Sequence, residues 1–245
     1  MGVTHHGRTY RLDLADPTLR EWECTVLASD PETGIVLDRS AFYPGGGGQP
    51  PDHGVLLWQG VQTRIVDTRK GDDLYLVPAE GDPLPPVGTA VQGAIEDERR
   101  TLLMRTHSGL HVLCGVVFRD FGALVTGGNM EPGEARMDFN LPEVPSDFKA
   151  LLEESVNLEL VADRKVVARV LPREEALAIP DIVRTQAKLI PHDEPEIRIV
   201  DIEGLDVQAD GGTHVASTAQ VGRLAVVKVE SKGKANRRVR VRLAP

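Results

Sequence analysis

Two histidines four residues apart are the strongest chemical feature of the sequence. His107 and His111 bound the segment His107-Ser108-Gly109-Leu110-His111. On a helix, residues i and i+4 face the same way one turn apart, so both imidazoles can reach one metal ion. Zinc proteases use this spacing, but a glutamate follows their first histidine as general base. Ser108 stands at that position here, so such a protease is not expected. A pair of helix histidines without a ligand stays the alternative.

A second group of potential ligands lies nearer the C-terminus. Asp210 and His214 are also four residues apart, with Gly211, Gly212 and Thr213 between them. The glycine pair disfavours a helix, so residues 206–214 are predicted to form a tight loop after a strand. Such a loop lets a ligand approach the backbone and leaves N–H groups to point at it, although an ordinary turn has the same residue types. The two segments together supply three histidines and one aspartate, a suitable donor set for zinc.

A run of four glycines, Gly45–Gly48, lies within residues Phe42–Pro50, where aromatic residues and prolines flank it. Consecutive glycines cost conformational entropy unless something passes close to the backbone, and the flanking residues favour a fixed loop over a flexible one. The run is not a P-loop, because no Gly-Lys-Ser/Thr follows, and it is not a dinucleotide fingerprint, because no helix follows. No nucleotide cofactor is expected.

The charge of the chain is unevenly distributed. Its 245 residues include 28 basic and 37 acidic ones, for a formal net charge of −9. Taken alone, that charge argues against a nucleic-acid partner, because phosphate contacts need lysine and arginine. The tail from Lys228 to Pro245, however, has seven basic residues and one acidic residue. On a strand, Arg238, Arg240 and Arg242 would share one face. The tail is interpreted as a phosphate-contacting patch, and a charged, solvated strand edge is the alternative.

The elements that must position these residues change character near residue 95. Residues 1–95 are predicted to form five or six short strands separated by Gly/Pro turns, with a tight hairpin at Gln59-Gly60. A small β-barrel or sandwich is therefore expected in this part. The predicted strands are Trp22–Ala28, Ile35–Leu37, Val55–Trp58, Val61–Val66, Leu74–Val77 and Ala90–Ile95.

Residues 96–245 combine helices with strands. A helix that begins near Asp97 is predicted to carry the histidine pair, and a second helix is predicted from Lys149 to about Val161. Gly122 to Gly133 is expected to be a broken, glycine-rich stretch. Strands are predicted at Val166–Leu171, Ile197–Ile202, Ala225–Val229 and Arg238–Leu243. This mixture predicts an α+β domain at 96–245, after a β domain at 1–95.

Composition narrows the class of protein. The hydrophobic fraction of 41% supports a real core. No stretch approaches the roughly 18 apolar residues of a membrane span, and the N-terminus lacks the apolar block of a secretory signal. Two cysteines are too few for a disulfide framework. A globular cytoplasmic protein with no membrane partner is expected.

Four motifs occur in order along the chain. They are Phe-Tyr-Pro-x-Gly-Gly-Gly-Gln at 42–49, His-x-x-x-His at 107–111, Gly-Gly-Thr-His at 211–214 and Lys-Gly-Lys-Ala-Asn-Arg-Arg at 232–238. Together they resemble the alanyl-tRNA editing proteins of the AlaX family, relatives of the editing domain of alanyl-tRNA synthetase. The resemblance covers essentially the whole chain. It implies an N-terminal β-barrel before an α+β editing domain, as in the medium-length members, which matches the division near residue 95.

The resemblance implies hydrolysis of the ester that links a wrong amino acid to tRNA(Ala), chiefly serine, with glycine as a second candidate. It also implies a zinc site, in which Asp210 takes the place of the family's usual cysteine. Because a carboxylate is a harder donor than a thiolate, a weaker or more exchangeable site is expected. Leu110 stands where the synthetase often has threonine, which could alter how the pocket separates serine from alanine. The implied ligands are His107, His111, Asp210 and His214.

The remaining motifs are interpreted as contacts to substrate and tRNA. The hypothesis is that Gly211, Gly212 and Thr213 line the ester and that Gly47, Gly48 and Gln49 close the pocket from the barrel side. The predicted tRNA-binding residues are Lys232, Lys234, Arg237 and Arg238. No residue stands out as general base. A water activated by the metal and substrate-assisted attack by a tRNA hydroxyl both stay open.

Two other functions stay open from the residues alone. A metal-dependent hydrolase of small esters or amides would use the same ligands, but it would not need the basic tail. A non-catalytic tRNA-binding module would keep the tail, and its metal site would be structural.

Overall fold

The chain folds into two compact units, one ending at Thr101 and the other beginning at Leu102. The computed structural model describes residues 5–180, 182, 184, 194–233 and 235–244. The described elements of the first unit are β1 (His5–His6), β2 (Thr9–Arg11), α1 (Leu12–Ala15), β3 (Glu21–Asp30), β4 (Gly34–Leu37), β5 (Arg39–Ser40), β6 (Gly54–Trp58), β7 (Val61–Lys70), β8 (Leu74–Pro78) and β9 (Ala90–Ile95).

Six of these strands close into a barrel in the order β3-β4-β8-β7-β6-β9, which confirms the expected β-barrel. Side chains alternate along the strands, as a pleated strand requires. On β3, Trp22, Cys24 and Val26 are buried in the barrel core, while Glu21 and Glu23 are exposed. A closed barrel leaves few strand edges unpaired, so strands separated by Gly/Pro turns can form a stable unit here.

The predicted hairpin between β6 and β7 is also confirmed. Gln59 and Gly60 both have positive φ, 47° and 77°, as a two-residue hairpin turn of the favoured hand requires. β6 and β7 then pair in antiparallel register from Gly54 opposite Ile65 to Trp58 opposite Val61.

The longest helix, α2 (Asp97–Phe121), carries both His107 and His111, as predicted. It begins in the first unit and continues through the second. Residues Leu103, Leu110 and Leu113 are buried along it. No helix in the described part of the chain is both long enough and apolar enough to cross a membrane.

The second unit combines this helix with two antiparallel sheets. Their strand orders are β10-β11-β16-β15 and β12-β13-β14. The predicted second helix and the four predicted strands are all present. The elements described after α2 are β10 (Val125–Glu131), β11 (Glu134–Phe139), α3 (Phe148–Val161), β12 (Val166–Pro172), α4 (Arg173–Leu177), β13 (Glu196–Ile202), β14 (Asp206–Ala209), a short 3-10 helix (Thr218–Val221), β15 (Leu224–Ser231) and β16 (Arg237–Leu243).

One hydrophobic core joins α2 and α3 to the larger sheet of this unit. Leu113 of α2, Val156 of α3, Phe139 of β11 and Val239 of β16 belong to the same buried cluster. Leu110 belongs to it as well and is 5% exposed, so this residue serves the packing of α2.

The expectation of a broken stretch at residues 122–133 is wrong for most of that stretch. Val125–Glu131 is a strand, and it pairs with Glu134–Phe139 across a two-residue Pro-Gly turn in which Gly133 has a φ of 84°. Gly127 and Gly128 weaken the local strand preference. The strand forms because its partner β11 is held on its other side by β16.

Candidate metal centre

The four predicted ligands lie together in the second unit. His107, His111, Asp210 and His214 each offer one ligand atom, and these atoms all lie within 4.8 Å of one another. The imidazole centroids of His107 and His214 are 4.4 Å apart, and those of His111 and His214 are 4.9 Å apart. The cluster is sequestered, since each of the three histidines is no more than 7% exposed.

Two elements bring these side chains together. α2 presents His107 and His111 one turn apart. Asp210 and His214 lie in the loop that follows β14. The predicted tight loop over residues 206–214 is therefore partly wrong, because Asp206–Ala209 pairs with β13 as a strand and only the residues from Asp210 onward form the loop.

The Asp210 carboxylate lies at the centre of the cluster. Its Oδ1 is 3.5 Å from Nε2 of His107 and 3.9 Å from Nε2 of His111. Its Oδ2 is 2.9 Å from Nε2 of His214. All three imidazoles therefore turn the same ring atom, Nε2, towards one carboxylate.

These residues fit a zinc ion. Ligands bonded at about 2.0–2.1 Å to a tetrahedral ion are about 3.3 Å apart, which is close to the Asp210–His107 separation. Imidazole and carboxylate are both donors that zinc accepts. The cluster could thus hold a divalent ion through four side chains after small movements, with Asp210 where the resemblance expects a cysteine.

His111 is held from its far side by an aspartate. Nδ1 of His111 lies 2.9 Å from Oδ2 of Asp206, which is 1% exposed. Two further donors reach this carboxylate: Nε2 of Gln208 donates to Oδ2 at 2.8 Å, and Nη1 of Arg184 donates to Oδ1 at 2.7 Å. Arg184 also stacks over the ring of Phe118.

His214 is held through the same ring position by a serine. Its Nδ1 lies 3.2 Å from Oγ of Ser108, and the N–H of Val215 donates to the same Oγ at 3.1 Å. Ser108 is fully buried on α2, one residue after His107. The residue that excludes a protease motif therefore contacts a predicted ligand.

Hydrogen bonds to the main chain and the side chain of Asp210 fix its loop, and the N–H of Asp210 itself donates to the Arg198 carbonyl oxygen at 3.1 Å. Nη1 of the buried Arg198 donates to the Asp210 carbonyl oxygen at 2.9 Å, and the N–H of Gly212 donates to Asp210 Oδ2 at 2.5 Å. Gly211 is exposed, and a Cβ added to it would have no atom within 4 Å. Thr213 is 1% exposed.

Burial and the carboxylates set the charges of the cluster. Burial lowers the pKa of His107 well below its usual value and that of His214 to about 4. Burial also opposes the charged form of His111, but hydrogen bonds to Asp206 and Asp210 outweigh it and raise the pKa of His111 to about 10. Burial opposes ionisation of Asp210 too, yet the surrounding histidines hold its pKa well below the usual range.

The glycine run of the first unit is a fixed turn. Gly46 and Gln49 exchange two backbone hydrogen bonds, of 3.0 and 2.9 Å, and all four glycines of the run have positive φ. Tyr43 Oη donates to the Gly46 carbonyl oxygen at 3.0 Å. Gly47 and Gly48 are exposed at the tip of the turn, whereas Gln49 is buried. The four glycines allow a backbone conformation with positive φ that residues with a side chain rarely adopt.

The same turn is anchored by a buried ion pair. Asp52 accepts a hydrogen bond from the N–H of Tyr43 at 2.7 Å, and Arg100 donates from Nε to the same carboxylate at 3.0 Å. The side chains of Asp52 and Arg100 are both fully buried.

The basic tail is partly neutralised by neighbouring strands. Arg238, Arg240 and Arg242 do alternate with the buried Val239 and Val241, as the strand period predicts. Each, however, forms an ion pair: Arg238 with Asp138 at 2.7 Å, Arg240 with Glu230 at 2.7 Å and Arg242 with Glu134 at 2.9 Å.

The other predicted tRNA-binding residues lie at or near the turn between β15 and β16. Lys232 is exposed in this turn, and Nη2 of Arg237 donates to the Pro142 carbonyl oxygen. Lys234 lies outside the described residues.

The sequence motifs give no role to the residues that support the ligands. Asp206, Gln208, Ser108, Arg198 and Arg184 all contact a ligand or one of its supports. One usable signal was present: polar residues at 206, 208 and 210 alternate with apolar ones, which indicates a strand whose polar side leads to Asp210.

Two family models match the chain. The model described as "Threonyl and Alanyl tRNA synthetase second additional domain" matches residues 197–240, which include Asp210 and His214. The model described as "tRNA synthetases class II (A)" matches residues 20–99, which include the barrel strands.

Curated relatives match over nearly the full chain. An alanyl-tRNA editing protein AlaX-M of Saccharolobus solfataricus is 37% identical over 97% of this chain and 100% of its own length. A protein of the same name from Methanosarcina mazei is 34% identical over 94% and 95%. An alanine–tRNA ligase of Pyrobaculum neutrophilum is 37% identical over 91% of this chain, which spans 25% of that ligase.

Proposed function

The chain belongs to the family of AlaX-M alanyl-tRNA editing proteins, and from this premise we propose that it hydrolyses the ester between a wrong amino acid and tRNA(Ala). Serine is the principal wrong amino acid, and glycine is a second. The tRNA(Ala) that carries either of them is the partner, and the reaction takes place in the cytoplasm. Alanine on the same tRNA is the correct product of charging and has to be spared.

The observation that carries this proposal is the convergence of three imidazoles and one carboxylate in the second unit. Their ligand atoms lie within 4.8 Å of one another. The resemblance implies a metal site built from two separated motifs, and this chain brings both motifs to one place. We assign the site to zinc, held by His107, His111, Asp210 and His214.

A zinc ion bound to these residues would supply a Lewis acid beside the ester, provided that the four side chains leave or open a coordination position for water or substrate. The residues of the chain do the positioning. The Asp210 loop orients the ester. The N–H of Gly212 already donates to Asp210 Oδ2, so Gly212 shapes this loop rather than binding the ester through its N–H. Gly211 is exposed above open space and is the position at which the substrate passes closest to the backbone.

The remaining substrate contacts follow the motifs. Thr213 supports the ester beside Gly211. Gly47, Gly48 and Gln49 bind the substrate from a turn whose shape is fixed before binding, since Gly46 and Gln49 already exchange hydrogen bonds. A turn that is ordered in advance lowers the entropy cost of binding.

Discrimination between serine and alanine depends on one hydroxyl. A site that pairs with the serine hydroxyl penalises alanine, because the polar groups that bind the hydroxyl are then left unpaired. Buried donors and acceptors of the second unit can supply that pairing. Leu110 packs in the hydrophobic core, so the proposal gives it no contact with the hydroxyl.

Lys232, Lys234, Arg237 and Arg238 bind the tRNA backbone in this proposal. The net charge of the whole chain, −9 at pH 7, limits non-specific attraction to nucleic acid. The cations near the β15–β16 turn then provide a local site for phosphates.

The decisive experiment compares deacylation of Ser-tRNA(Ala), Gly-tRNA(Ala) and Ala-tRNA(Ala) by the full chain. Faster release of serine than of alanine is expected. The His107→Ala variant should lose both bound metal, measured by elemental analysis, and deacylation. His5→Ala changes an exposed histidine of the first unit and serves as the matched control.

Equal rates on serine and alanine, or no hydrolysis of either, would reject the editing proposal. Hydrolysis of small esters without hydrolysis of the aminoacyl-tRNAs would favour a small-molecule hydrolase. Binding of tRNA with bound metal but without hydrolysis would favour a binding module with a structural metal.

A further inference from the structure

Behind the four ligands lie residues to which the ligand motifs assign no role in metal binding. Asp206 contacts His111 and Ser108 contacts His214, both through Nδ1 of the imidazole. In each ring Nδ1 and Nε2 point in different directions, so an anchor on Nδ1 fixes where Nε2 points. In both rings, Nε2 points to Asp210.

We propose that Asp206 and Ser108 are positioning residues that hold His111 and His214 in the tautomer and orientation needed for metal binding. The proposal deepens the proposed function, because it concerns the same metal site. A metal-ligating imidazole generally donates its other N–H to a carboxylate, carbonyl or similar acceptor. Asp206 and Ser108 provide two such acceptors.

Asp206 is well suited to this role because its own position is fixed. Gln208 donates to its Oδ2 and Arg184 donates to its Oδ1, at 2.8 and 2.7 Å. The carboxylate is 1% exposed, so water does not compete for it. Asp206 lies on β14 and Ser108 on α2, so each anchor rests on a regular element.

Ser108 is fixed as well. The N–H of Val215 donates to its Oγ at 3.1 Å, which leaves the second lone pair of that oxygen to accept from Nδ1–H of His214. When Nδ1 carries the hydrogen, Nε2 of the neutral ring has its lone pair available for a metal. Ser108 therefore couples the helix ligands to the loop ligand, because it directly follows His107 on α2 and contacts His214 in the loop.

The two anchors predict a graded loss of metal affinity. Replacing Asp206 by Asn keeps the volume but removes the charged acceptor, and loss of such a contact typically weakens metal binding by about 10- to 100-fold. Replacing Ser108 by Ala removes one hydroxyl and should weaken binding less.

The test measures zinc affinity of the full chain by competition with a chromophoric chelator. Asp206→Asn and Ser108→Ala are compared with Asp201→Asn. Asp201 is the matched control because it lies on the neighbouring strand β13 and forms an ion pair with Arg169 at 3.3 Å. The visible spectrum of each variant loaded with cobalt gives a second readout, since it reports ligand geometry independently of activity.

The proposal is supported if Asp206→Asn and Ser108→Ala lose zinc affinity and change the cobalt spectrum while Asp201→Asn does neither. It is overturned if both variants bind zinc as the unmodified chain does, or if Asp201→Asn loses as much. If Asp206→Asn does not fold, as circular dichroism would show, Ser108→Ala decides alone. If the unmodified chain edits tRNA without binding zinc, this inference is rejected and the editing activity stands. If the chain binds zinc in a way that depends on Asp206 and Ser108 but does not edit tRNA, the inference stands and the editing activity is rejected.

Discussion

Arg238 and Asp138 lie directly opposite each other on neighbouring strands, and Nε of Arg238 donates to Oδ1 of Asp138 at 2.7 Å. Hydrogen bonds from Arg238 hold the pKa of Asp138 below its usual value. Glu230 is likewise held at a pKa of about 2 by Arg240 and Lys228. The strongly basic character of the tail in the sequence is therefore reduced in the fold by acids on β11 and β15.

This ion pairing predicts different roles for two arginines of the tail, Arg237 and Arg240. Arg237→Glu should weaken tRNA binding and reduce the slope of log affinity against log salt by about 1, because one phosphate contact is lost. Arg240→Glu makes the same charge change on the ion-paired face and should have a smaller effect. Binding measured over a range of salt concentrations checks both. Equal losses would indicate that only total charge matters.

Reversal of Arg238 is expected to act through the fold as well. Arg238→Glu places a glutamate opposite Asp138, and like charges directly opposite on a sheet are destabilising. The double variant Arg238→Asp with Asp138→Arg restores the opposite charges with no change in net charge. We expect this double variant to recover thermal stability but not tRNA binding. Recovery of both would assign Arg238 a purely structural role.

Gly211 offers a test of how closely the substrate passes. A Cβ at this position meets nothing within 4 Å, so Gly211→Ala should change the free energy of unfolding by less than about 1 kcal/mol. If the ester passes close to the backbone, the added methyl displaces it and kcat/KM for Ser-tRNA(Ala) should fall by up to about 100-fold. Gly127→Ala, which also has room for a methyl, is the control. Unchanged kinetics in Gly211→Ala would remove Gly211 from the substrate site.

Local patterns predicted the parts of the centre that are close in sequence. His107 and His111 share a face because helix periodicity is a property of a few consecutive residues. The contact between His111 and Asp206 joins residues 95 positions apart, and no local pattern specifies it. The same limit applies to the tail, because Arg242 meets Glu134 only after β11 and β16 have paired. Strand β10 was missed for a related reason: its glycines are compensated by a hairpin partner rather than by their own preference.

Metal binding should release about one proton from His111. Burial lowers the pKa of this ring, but hydrogen bonds to Asp206 and Asp210 outweigh burial and raise the pKa to about 10. The ring is therefore protonated at pH 7 in the metal-free chain. A histidine ligand has to be neutral, so the proton leaves when the metal binds. His107 and His214 are already neutral, because burial lowers their pKa.

The apparent zinc affinity should therefore rise by about tenfold per pH unit between pH 6 and 8. Calorimetric titration in two buffers of different protonation enthalpy measures the number of protons released. A binding enthalpy that is the same in both buffers would show that His111 carries no proton before binding.

Asp210 is expected to set the preference of the centre among metals. A carboxylate is harder than a thiolate, so Asp210→Cys should shift the ratio of zinc to manganese affinity towards zinc, on the order of tenfold or about 1.4 kcal/mol. Asp210→Asn keeps the shape but loses the charge, and it should weaken both metals. Competition with a chelator gives the two affinities for each variant. The hydrogen bond from Gly212 to Asp210 Oδ2 changes in both variants. A loss of loop structure would lower the zinc and manganese affinities equally, and their ratio would stay unaltered. An unaltered ratio in Asp210→Cys would mean that Asp210 shapes the loop without binding the metal, and the centre would then be a three-histidine site.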